Sequence, residues 1–231
     1  MSEKDYLKDI SEIKQIMNRS TRFMSLSGLS GVLAGMYALA GGLLAYYLLK
    51  GKGYEYGYDE IIERLQLKLI LIAFVVASIS AITGYILTKR RADKNNEKMW
   101  TPVSKLMLES FCIPLGVGGV LVLMMIYKGY YGLIAPLTLI FYGLALFNAS
   151  RYTFSDVKYL GLLEIVLGLI AFWNMGQGLL FWLIGFGVLH IIYGGLMYFR
   201  RERTVSWRIY YSISINYSII GCDWELCRLW W

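Results

Sequence analysis

The sequence predicts an all-α polytopic membrane protein with six transmembrane helices and both termini in the cytoplasm. Two observations carry this reading. Uncharged apolar runs occupy Phe23–Leu49, Leu69–Thr88, Ser110–Tyr127, Gly129–Ser150 and Ile165–Phe199. A helix needs about 20 apolar residues to cross a bilayer core, so each of the first four runs crosses once. The fifth has 35 residues and is broken by Asn174-Met175-Gly176-Gln177-Gly178, so it supplies one full helix and most of another. The second observation is charge. With six spans, 18 of the 23 basic residues fall on the face that carries both termini. Short cytoplasmic loops hold the excess of Lys and Arg, which sets the orientation.

The elements follow in chain order. Residues 1–22 form a cytoplasmic segment in which Tyr6, Ile10, Ile13 and Met17 fall on one helical stripe opposite charged residues. Its charge throughout does not read as a secretory signal. The transmembrane domain takes residues 23–203, with helices expected at 23–49, 65–88, 106–127, 133–150, 157–174 and 179–199. The outer loop Lys50–Arg64 holds Tyr54, Tyr56 and Tyr58 among glycines, a composition suited to the membrane–water interface. The inner loop Lys89–Lys105 is polar and basic and suits anionic headgroups or a protein partner. The outer turns at 128–132 and 175–178 are short, so helices three and four, and five and six, are expected as tight hairpins. Pro114 is expected to kink the third helix.

Small residues recur where helices would pack. Gly28, Gly31 and Gly35 share adjoining turns of the first helix, and Gly116, Gly118 and Gly119 follow Pro114. Gly161 and Gly168 lie a heptad apart in the fifth helix, as do Gly187 and Gly194 in the sixth. Lipid offers helices no hydrophobic reason to associate, so close approach through small residues is the usual device. Residues 204–231 differ in composition, with four of the seven Trp and two of the three Cys. They read as an atypical cytoplasmic tail outside the bundle, interfacial or non-native. Cys112 is expected as a buried thiol, and no disulfide framework is expected in a reducing compartment.

Ionisable groups within spans are costly and mark candidate sites. Glu164 in the fifth helix and His190, the single histidine, in the sixth lie at similar depths on neighbouring helices. They form a candidate intramembrane polar site with Asn148 nearby. A titrating pair of this kind suits a proton relay or a pH sensor, and the alternative is a structural hydrogen-bonded pair. Glu109 and Arg151 are expected as a structural ion pair. No HExxH, GxSxG, P-loop or dinucleotide fingerprint is present, and CysAspTrpGluLeuCys at 222–227 lacks a second pair of zinc ligands. One histidine excludes a multi-histidine metal site. No catalytic, cofactor or metal residues are therefore assigned, and no nucleic-acid partner is expected.

Ser25–Gly31, Gly132–Ser150 and Gly178–Gly194 resemble a family of uncharacterised bacterial membrane proteins with six spans. The likeness covers roughly residues 5–200 and implies a multi-pass protein of the bacterial inner membrane without implying an activity. Helices five and six also resemble bacterial acid-resistance membrane proteins built from two-helix repeats. The function expected is a non-enzymatic membrane-embedded sensor or interaction protein. Its partners would be the lipid bilayer and a cytoplasmic protein or a second copy. The alternative is a small-solute or proton-coupled transporter using Glu164 and His190.

Overall fold

A helix that is apolar all round cannot mark its packed face by polarity, and here side-chain size marks it. In a computed structural model, residues 26–50, 58–95 and 97–200 are described. Six helices follow: α1 (Gly28–Lys50), α2 (Tyr58–Lys94), α3 (Pro102–Tyr127), α4 (Ile134–Ala149), α5 (Ser155–Trp173) and α6 (Gly178–Arg200). No strand occurs among the described residues. The amphipathic N-terminal segment, the glycine- and tyrosine-rich 51–57 and the tail 204–231 lie outside the described residues.

Five stretches are long and apolar enough to cross a membrane: α1, Leu67–Lys94 of α2, α3, Tyr131–Ala149 and α6. The 19 residues of α5 carry Asp156, Lys158 and Glu164. Their length suits a bilayer core and their charge sets them apart.

Two helices are longer than the sequence predicts. α2 runs for 37 residues instead of spanning only 65–88. At 1.5 Å per residue that is about 55 Å, well beyond a core of about 30 Å. The apolar run marks the part in lipid, while good helix formers such as Glu, Arg and Lys carry the helix into water at both ends. α3 begins at Pro102 and not near 106. Thr101 accepts from the Ser104 amide at 3.1 Å, and the Ser104 hydroxyl accepts from the Thr101 amide at 2.8 Å. This reciprocal cap stops the helix where hydropathy gives no signal. Pro114 sits inside α3, which continues through it. Neighbouring groups in a bundle tolerate such a residue.

The buried positions of α1 are Gly28, Gly35, Ala38, Gly41, Gly42 and Ala45, all small. Gly28 and Gly31 meet the backbone of α6 at Gly194, and Gly35 meets it at Gly187. On α4, Gly143 and Gly161 of α5 face each other: a Cβ on either would lie within 2.7 Å of the other's carbonyl oxygen. Val76 of α2 fills the notch at Gly41, and Phe141 of α4 fills the notch at Gly118 of α3. Gly116 and Gly119 have open space and take no part in packing. The result is a chain of neighbours in which α2 lies on α1, α1 on α6, α6 on α4 and α5, and α3 on α4. The α4–α5 hairpin is packed more closely than the α5–α6 pair.

The C-terminal end of α2 is tied back to the start of α1 by Arg91, whose Nη1 donates to the Leu26 carbonyl at 3.0 Å. At the opposite end, Gly129 takes φ +76°, a left-handed turn that glycine adopts without strain, and leads through a 3₁₀ turn into α4. Tyr46, Tyr47, Tyr127, Tyr130 and Trp173 are exposed around that end, and Trp100, Tyr159 and Phe199 around the other. Such rings belong at headgroup depth. Cys112 lies on the exposed face of α3 and is not buried as the sequence suggested, because only the Gly118 face of that helix meets α4.

The size rule makes a direct prediction. A Cβ at Gly194 would lie 2.5 Å from the Val32 amide nitrogen, whereas one at Gly195 meets nothing within 4 Å. Gly194→Ala should lower stability by about 1–3 kcal/mol through overpacking. Gly195→Ala should leave it unchanged. Melting of the two purified variants checks this, and equal melting points would show that α1 and α6 are not in backbone contact.

Candidate functional site

The packed faces of α4, α5 and α6 converge at mid-depth. The buried residues of α5 are Leu160, Gly161, Glu164, Gly168 and Ala171. Glu164 therefore stands within the small-residue stripe that meets the rest of the bundle, and it is 0% exposed. It is the tenth of the 19 residues in α5. His190 stands just past the centre of α6 and is 6% exposed. Tyr142, near the centre of α4, completes the group.

The imidazole is held on both sides. Nδ1 lies 3.0 Å from the Gly185 carbonyl oxygen. A carbonyl can only accept, so Nδ1 carries a proton and donates. Nε2 lies 2.8 Å from the Tyr142 hydroxyl. In the neutral ring the hydroxyl donates to Nε2, and in the imidazolium it accepts. Around these polar atoms stands an aromatic wall. Phe186 stacks on His190 at 6.0 Å between ring centroids, and Tyr142 lies 4.8 Å from Phe186. Trp182 and Phe111 extend the wall on either side.

Glu164 approaches the same Nδ1, with Oε1 at 3.4 Å. The approach is not aligned as a hydrogen bond, and neither carboxyl oxygen has a hydrogen-bond partner among the described residues. Buried polar atoms are nearly always satisfied, so this exception calls for a role. The pair can hold one proton on either group and remain net neutral, which a site in lipid tolerates far better than a lone charge. Gly185 admits the carboxyl. A Cβ there would lie 2.5 Å from Glu164 Oε2 and 2.5 Å from Leu139 Cδ2.

The backbone of α6 is also unusual here. Leu183–Leu189 is π-helical, between α-helical turns. A widened turn is rare and is often found at functional sites. It ends at His190 and contains Gly185, so the irregular segment supplies both the space for Glu164 and the acceptor for the imidazole.

Of the residues expected to form sites, the structure brings Glu164 and His190 together and leaves Asn148 away from them. Asn148 lies in the last turn of α4 and lines an open groove of ≈230 Å³ with Ser110, Pro114 and Arg151. Glu109 and Arg151 are both exposed, and no ion pair joins them. Arg151 faces the groove, and Glu109 is left on the exposed side of α3. Tyr142 and the π-helical turn were not anticipated. A tyrosine in mid-span, away from the interface where such rings belong, was the available signal for the first. The pair Gly185 and Gly187 was a partial signal for the second.

A double-mutant cycle tests the fit of the carboxyl. Gly185→Ala should destabilise by about 1–3 kcal/mol, as overpacking does. Adding Glu164→Ala should recover part of that loss, since the two sites share the same space. Strict additivity in melting measurements would place Glu164 away from Gly185. Tyr142→Phe should cost about 1 kcal/mol, the usual value of one hydrogen bond, and more would point to a wider network.

Comparison with protein-family models, with curated proteins and with solved structures finds no match to this chain.

Proposed function

We propose that this chain is a six-span protein of a bacterial inner membrane, with both ends cytoplasmic, that works as a non-enzymatic, membrane-embedded sensor. The observation that carries the reading is Glu164, fully buried beside His190, with neither carboxyl oxygen hydrogen-bonded among the described residues. A group so placed responds to the proton count of its neighbours. The groups that meet there are the Glu164 carboxyl from α5, the imidazole from α6 and the phenol from α4, while α3 contributes only the Phe111 ring. A change in protonation would alter the contacts holding the π-helical turn and so shift α6 against α1. The bundle ends would carry that shift to a cytoplasmic partner or a second copy.

A second reading is favoured by the same turn. Transporters often break a helix beside their ion site, and α6 leaves α-helical geometry next to Glu164. A small-solute or proton-coupled transporter would use Glu164 and His190 as its coupling pair.

Sealed liposomes separate the two readings. Protein with Cys112, Cys222 and Cys227 each replaced by Ser and with Ser150→Cys as the one reporter, at the inner end of α4, is given a pH step across roughly pH 5–8, the histidine range. The sensor reading expects labelling to change with pH more than in the same protein carrying Glu164→Gln, with no proton flux. Flux abolished by Glu164→Gln would establish the transporter. Labelling that tracks pH identically with and without Glu164 would remove the sensor.

A further inference from the structure

The inner end of the α4–α5 hairpin presents a second, independent cluster. Arg151 follows directly on α4 and lines two grooves at once. One, of ≈230 Å³, lies toward α3 and includes Ser110 and Asn148. The other, of ≈340 Å³, lies toward α5 and includes Ser150, Ser155 and Lys158. Among the described residues the Arg151 guanidinium has no hydrogen-bond or ion-pair partner. Lys158 is exposed, with its Nζ 5.8 Å from the centroid of the Phe147 ring. That contact holds the ammonium at the groove wall without neutralising it. Neither groove is lined by an acidic side chain.

The chemistry of these groups is specific. A guanidinium presents a planar fork of donors that matches two oxygens of a phosphate. Lysine adds a point charge, and the Ser155 hydroxyl adds a neutral donor, while the Ser150 hydroxyl is committed to the Phe147 carbonyl at 2.6 Å. The α5 N-terminus opens at the same place; its N-cap Phe154 makes no side-chain cap, and Asp156 stands in its first turn, so the basic side chains and not the helix end carry the charge of the cluster. Ile113, on the wall of the first groove, is 67% exposed and offers an apolar surface beneath the basic group. Two basic side chains, one hydroxyl donor and an adjoining apolar wall suit a phosphate ester with an apolar remainder.

We propose that Arg151, with Lys158 and Ser155, binds a phosphate ester at the end of the α4–α5 hairpin. Two sources share that chemistry: the headgroup of an anionic phospholipid in the adjoining leaflet, and a soluble phosphate ester. The phosphate chemistry does not depend on the sensor reading. Only the assignment of the leaflet as the inner one rests on the orientation proposed above.

Native mass spectrometry of the full chain in detergent tests this, with phosphatidylglycerol and glycerol 3-phosphate as separate titrants. Wild type should retain phosphatidylglycerol. Arg151→Gln should weaken binding about tenfold or more, the range expected for loss of a hydrogen bond to a charged group. Lys158→Gln and Ser155→Asp should weaken it too, the latter by placing a negative charge in the groove. Lys128→Gln, at the opposite end of the bundle, should bind as wild type. Melting points confirm that each variant is folded. If Arg151→Gln does not fold, Lys158→Gln and Ser155→Asp carry the test. Glycerol 3-phosphate binding that competes with phosphatidylglycerol assigns a soluble source, and retention of the lipid alone assigns the leaflet. No binding by wild type overturns the proposal. So does equal binding by the folded groove variants, or an equal loss in Lys128→Gln.

Discussion

Backbone-to-backbone contact between glycine-lined helix faces is the constraint on which the rest of the structure depends. In hydrocarbon, helices gain nothing from hiding apolar side chains from one another. They associate where shape lets them come close. Gly28, Gly31 and Gly35 of α1 lie on Gly187 and Gly194 of α6, and Gly143 of α4 lies on Gly161 of α5. These contacts fix the rotation of each helix about its own axis. Once rotation is fixed, it is also settled which residues point inward.

The polar centre is a consequence of that arrangement. Glu164 lies three residues beyond Gly161 and four before Gly168, so the face that meets α4 must carry it inside. His190 lies three residues beyond Gly187 and four before Gly194, so the α1–α6 contact fixes the turn on which it stands. Tyr142 is the neighbour of Gly143. Each polar residue is thus tethered to a glycine that cannot be enlarged without moving a helix. The carboxyl, the imidazole and the phenol meet because two tight interfaces, α1–α6 and α4–α5, leave them no other direction. The π-helical turn of α6 adjusts the last part of the fit by placing Gly185 against both Glu164 and His190.

Much of this was legible in the amino-acid order. Uncharged runs marked the stretches long enough to cross a membrane, and the heptad spacing of Gly161 and Gly168 marked the interface on which Glu164 lies. Glu164 and His190 stand at similar depths on consecutive helices, which allowed them to meet. The ends of α2 and α3 were not legible from hydropathy, because helices continue into water wherever propensity and caps allow, as Thr101 and Ser104 show. The expected pairing of Glu109 with Arg151 assumed that opposite charges at one end of the bundle would meet. Exposed groups have water as an equally good partner, and such pairs contribute little. The π-helical turn left only a pair of glycines as a trace, since backbone register is decided by packing across helices rather than by local order. Tyr142 was hidden by its company, one hydroxyl in an otherwise apolar run.

The most direct test uses the fact that the chain has one histidine. Protein labelled with ¹⁵N-histidine and with ¹³C at the glutamate carboxyls is placed in lipid bilayers, and the dipolar coupling between the two labels is measured by solid-state NMR. The account predicts one carboxyl carbon in close contact with the ring, matching the 3.4 Å approach of Nδ1 to Oε1, and its loss in Glu164→Leu. A histidine ring with no carboxyl near it in the bilayer would contradict the account at its centre.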